Sequence, residues 1–162
     1  MKPAREPAKE SYTGVLAADI LRKYNGIVER RRAAGKCFFN GCQQRAVGLL
    51  DELKGAGADG FVMVVNSIDC LVHESGAFFH FHHVAFTWDG LVFDPNYSKA
   101  RPLPLEDYIR EAYSFPSNIL IWKRGCKARP IGRYDETAHR VRLDADFAEE
   151  LSQRRLSYKL SV

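Results

Sequence analysis

The chain has 162 residues, of which 46% are hydrophobic and 27% charged; this is the make-up of one globular domain with enough apolar surface for a core. The 24 basic residues barely outnumber the 20 acidic ones, and the formal charge is +4, so no global field calls for a nucleic-acid or other polyanionic partner. No apolar run approaches the roughly 18–20 residues that cross a bilayer, and the polar opening MKPAREPAKESYTG lacks a secretory core, which predicts a cytoplasmic protein with no membrane partner.

Charge and proline in residues 1–12 predict an unstructured N-terminal segment, leaving 13–162 as a single α+β domain. A first helix is expected from Ser11 or Thr13, with Ala17, Ile20, Leu21, Tyr24, Ile27 and Val28 at helical spacing and Gly35 as its stop. The basic run 29–36 and a second at 123–133 read as solvated surface, because neither is interleaved with aromatic residues. A second helix is written into CQQRAVGLLDELKG, where Ala46, Leu49, Leu50 and Leu53 form one stripe. FVMVVN (61–66) reads as a strand, 67–77 as a linker holding His73 and Gly76, and 77–96 as a hairpin. A proline-bearing loop and short helix follow in ARPLPLEDYIREAYS, then a strand in NILIW (118–122) and a last helix in DADFAEELSQRR. Helices ahead of mostly antiparallel strands imply an α+β fold with the N-terminal helices packed on the sheet.

The hairpin segment HHVAFTWDGLVFDPN (82–96) carries the chemistry. With Asp89-Gly90 as a two-residue turn, Phe86 pairs with Phe93 and Ala85 with Asp94. His83, Ala85, Asp94 and Asn96 then share one face, and His82 lies on the other. A catalytic imidazole needs an acceptor on one ring nitrogen to leave the other facing a nucleophile; Asp94, or Asn96 directly across, supplies one to His83. HFHH (80–83) offers a second reading, as zinc ligands, but only His73, His139 and scattered cysteines could complete the set and no CxxC spacing supports it. No metal or cofactor is expected.

Cys37, Cys42, Cys70 and Cys126 are too sparse for a disulfide framework and read as free thiols. Cys37 and Cys42 both stand near a helix start, where free N–H groups favour a thiolate and can hold an oxyanion. Counted from Cys42, apolar residues recur at helical spacing, so Cys42 faces the sheet; counted from Cys37 the same positions are polar or small. Cys42 can equally be a small buried residue ending the stripe.

The stretch GCQQRAVGLLDELKGAGADGFVMV followed by HHVAFTWDGLVFDPN, residues 41–96, resembles the core of papain-like and transglutaminase-like cysteine hydrolases. The resemblance implies Cys42 as nucleophile, His83 as base and Asp94 of Asp-Pro as orienting acid. Asn40 stands where an oxyanion donor could replace the family's upstream glutamine, and KCFFNG keeps Cys37 open as an alternative nucleophile. It further implies a protein or peptide substrate, amide chemistry through a thioester (protease, deamidase or transglutaminase-like), and a bacterial effector or toxin setting with delivery independent of a signal peptide. The rival expectation is a non-catalytic papain-like module that binds a protein. Oligomeric state is left open.

Overall fold

Apolar side chains three and four apart draw the first third of the chain into helices, and β-branched and aromatic runs draw the rest into strands. The computed structural model describes residues 7–35, 41–126 and 129–161. Among them are four α-helices, α1 (Pro7–Ala33), α2 (Cys42–Gly55), α3 (Leu105–Ala112) and α4 (Ala145–Ser161), and seven strands: β1 (Gly60–Val72), β2 (Phe78–Thr87), β3 (Leu91–Phe93), β4 (Leu103–Pro104), β5 (Ile119–Lys123), β6 (Gly132–Asp135) and β7 (Arg140–Leu143). The expected α+β class is therefore present. Of the segment expected to be unstructured, residues 1–6 lie outside the described residues. α1 begins at Pro7 rather than at Ser11 or Thr13, a start proline permits because the first helical N–H has no partner in any case.

The strands form one antiparallel sheet in the order β4-β3-β2-β1-β5-β6-β7. β1 runs six residues beyond the expected strand and takes in most of the expected linker; a tight turn at His73–Gly76 joins it to β2, with Gly76 N–H on the His73 carbonyl at 3.0 Å. Each strand shows its two faces to different partners. On one side α1 and α2 lay Leu21, Ala46, Leu49 and Leu53 against Val62, Ala85 and Phe93. On the other, α3 and α4 bring Tyr108, Ile109, Phe147 and Leu151 onto Phe61, Met63, Val84 and Phe86. At Gly60 an added Cβ would lie 1.9 Å from the Phe86 carbonyl oxygen, so the start of β1 can approach β2 only as glycine.

Candidate active site

α2 opens at Cys42 behind the N-cap Gly41, and its stripe of Ala46, Leu49, Leu50 and Leu53 packs on the sheet. The same helical phase turns Cys42 toward β2. Cys42 Sγ lies 3.5 Å from His83 Nδ1. Arg45 makes the first helical bond, to the Gly41 carbonyl, so the N–H groups of Cys42, Gln43 and Gln44 have no partner within the helix. Burial, and then the positive charge of Arg124, hold His83 below its ordinary value of 6.5, which keeps the ring neutral and able to accept a proton. The pair stands beside an open cleft of about 620 Å³ lined by His83, Gln43, Asn66, Phe81, Trp122 and Arg124, among others.

Asp94 is not part of this arrangement. β2 pairs with β3 as Ala85 with Phe93 and Phe86 with Val92, one residue away from the expected register. The turn holds three residues, Trp88–Gly90, rather than two: Gly90 N–H bonds the Thr87 carbonyl at 2.8 Å and Gly90 closes the loop with φ 91°. Asp-Gly suits this geometry as well as the two-residue one, since both need a positive φ at the glycine. Trp88 supplies the reason the longer turn wins, because it leaves the strand and buries its ring against Phe61 and Phe147. One residue of slip reverses every side chain. The expected shared face of His83, Asp94 and Asn96 is thus corrected: Asp94 and Asn96 lie with His82, on the side away from Cys42.

There they form a sealed network. Asp94, 1% exposed, meets His73 Nε2 at 2.8 Å, the Tyr108 hydroxyl at 2.7 Å and the Asn96 backbone N–H at 2.8 Å, with His82 Nε2 at 3.4 Å. Burial alone would raise the Asp94 carboxyl; the imidazoles of His82 and His73 and the bonds from His73 and Tyr108 outweigh it and hold the group well below its usual range. Burial pushes His82 down to about 4, with Asp94 opposing and His73 adding to the fall. His82 is stacked on Phe79 at 4.1 Å and bonded through Nδ1 to the Tyr113 hydroxyl at 2.8 Å. The strand 3 end that presents Asp94 is clamped by Asn25 of α1, whose Nδ2 donates to the carbonyls of Pro95 and Tyr97, each at 2.9 Å.

His73, His82 and Asp94 offer three metal-ligand atoms within 4.8 Å of one another. Hydrogen-bond directions count against that use. His73 Nδ1 accepts the Ser75 backbone N–H at 3.1 Å, so its proton sits on Nε2 and is directed at Asp94 rather than leaving a lone pair for a metal. No cysteine joins this cluster among the described residues. Tyr108 and Tyr113 are not site residues in the sequence reading, and His73 enters it only as a residue that could complete a zinc set, placed in an expected linker; the Gly76 turn is the one signal that β1 continues to meet β2. Asn40 and Cys37 lie outside the described residues.

The chain matches no family model, no curated protein and no solved structure. Function therefore rests on the geometry.

Proposed function

We propose that the chain is a cysteine-dependent hydrolase or acyl-transferring enzyme acting on amide bonds, with Cys42 as nucleophile and His83 as base. The observation that carries this reading is the 3.5 Å contact between Cys42 Sγ and His83 Nδ1, made at a helix start and beside a cleft. Sγ attacks the amide carbon while its proton passes to Nδ1; the N–H groups at the start of α2, which lack partners within the helix, stabilise the oxyanion. His83 then returns the proton to the leaving amine, leaving a thioester. Water resolves it to an acid, and a second amine resolves it by transfer. The papain-like resemblance of residues 41–96 supports the order of nucleophile and base along the chain. Asp94 has a different role here: it braces β2 from behind through His82 and His73 and does not touch His83.

The test is site-resolved alkylation. Cys42 of the folded chain is expected to react rapidly and stoichiometrically with iodoacetamide near neutral pH, and His83→Ala to slow that reaction by roughly 10- to 100-fold, toward the low end of what a positioned base contributes. Modification of Cys42 only after denaturation would sink the proposal. That result would favour a second reading, a non-catalytic module binding a protein, for which the exposed side chains of Ile68, Phe78 and Phe115 provide an apolar surface.

A further inference from the structure

The cleft beside Cys42 and His83 has apolar walls in Val64, Phe81 and Trp122, with Arg124, Gln43 and Asn66 among its polar groups. Arg124 is exposed at its edge, and among the described residues no carboxylate lies within ion-pair distance of it. With its amide turned so that the oxygen faces the guanidinium, Gln43 accepts from Arg124 Nε at 3.0 Å and Nη2 at 2.6 Å. This fixes the guanidinium and leaves the remaining Arg124 N–H groups as donors. Asn66 is oriented in the same sense, its Oδ1 accepting Trp122 Nε1 at 2.7 Å, so its nitrogen is likewise left to donate. Lys123 also lines the cleft, but its ammonium is directed over the rings of Phe61 and Trp88 at 5.3 and 5.8 Å. Among the described residues the charge directed into the cleft is that of Arg124, which acts on His83.

An ammonium or a bare N–H group entering here would meet donors and a positive charge. A carboxylate would meet a preoriented guanidinium and the Asn66 amide donor, an arrangement suited to carboxylates. We infer that the substrate is an amide that carries a carboxylate close to the reacting bond, as in an acidic peptide segment, received by Arg124 between Gln43 and Asn66. This rests on Cys42 and His83 being the reacting pair.

Iodoacetate and iodoacetamide test it without a known substrate, since they differ only in carboxylate against carboxamide. In both, the Cys42 sulfur forms a C–S bond as the C–I bond breaks, iodide leaves, and the thiol proton passes to His83. The rate of each reagent is measured at each cysteine of the whole chain by peptide mass spectrometry. The iodoacetate-to-iodoacetamide ratio at Cys42 is then divided by that at Cys70, which is exposed and outside the cleft. An excess of about fivefold or more is expected at low ionic strength, shrinking with added salt. Arg124→Gln should bring the ratio to the Cys70 level, and Arg124→Lys, which keeps the charge, should retain an excess. If Cys42 reacts with both reagents at the Cys70 ratio, or keeps its excess in Arg124→Gln, the carboxylate proposal is overturned while the reactive pair stands. If Cys42 reacts with neither, it is the reading of Cys42 as nucleophile that fails.

Discussion

Adjacent histidines on β2 receive opposite environments, and their substitutions should separate accordingly. His83 reaches Cys42 and His82 is fully buried against Asp94, Tyr113 and Phe79. His83→Gln is expected to slow alkylation of Cys42 with little change in the urea midpoint, whereas His82→Gln should change stability and leave the alkylation rate of the folded protein close to the original. Asp94→Asn belongs with His82. It removes a buried carboxylate that accepts from His73 and Tyr108, which costs about 2 kcal/mol as hydrogen bonds to a charged group are weakened. Urea unfolding alongside labelling kinetics checks this: a large loss of Cys42 reactivity in a variant of unchanged stability would restore Asp94 to the catalytic pair.

Helix α2 and the strands around it were largely readable from periodicity, because their apolar residues recur at 3.6 or 2 and little else competes for them. The adjacency of Cys42 and His83 was readable for the same reason, as the stripe through Ala46, Leu49 and Leu53 fixes which way Cys42 turns. The position of Asp94 was not, since it depends on whether Asp89-Gly90 closes a loop of two residues or three, and that is decided by where the Trp88 ring packs. Strands β6 and β7 were missed because GRYD and RVRL alternate against charged residues and carry little apolar signal. The pairing of β1 with β2 offers its own test. Gly60→Ala would drive a methyl group into the Phe86 carbonyl, and it is expected to destabilise the protein by about 2 kcal/mol or more through local separation of the strands; a variant with an unchanged denaturation midpoint would show that this approach is not tight.

For the whole molecule the sealed network makes acid the natural denaturant. Folded His82 resists protonation down to about pH 4, whereas in the unfolded chain it titrates near 6.5. Between those values the unfolded state holds more protons, so stability is full above about pH 6.5 and falls as pH drops toward 4, by about 3 kcal/mol in all. His83, also lowered, acts in the same direction, and Asp94 adds a further loss below its ordinary value of 3.8. The urea midpoint measured from pH 7.5 to 4 should decline across that window and decline less in His82→Gln; a midpoint constant down to pH 4.5 would contradict this account. No described helix is long and apolar enough to cross a membrane. The three-residue turn at Trp88–Gly90 has a last consequence, which is one of sidedness. Every residue from Leu91 to Asn96 is assigned to the open or the sealed side of the sheet by the β2 residue it pairs with, and that pairing is fixed by Trp88 staying in the loop. A shorter or longer loop keeps the sides as long as Thr87 still stands opposite Leu91, whereas Trp88 entering the strand opposite Leu91 would turn the Asp94 carboxylate from its partners toward α2 and Phe93 toward the network. Substitutions that free residue 88 to join the strand should therefore disturb the network more than a change of loop length does.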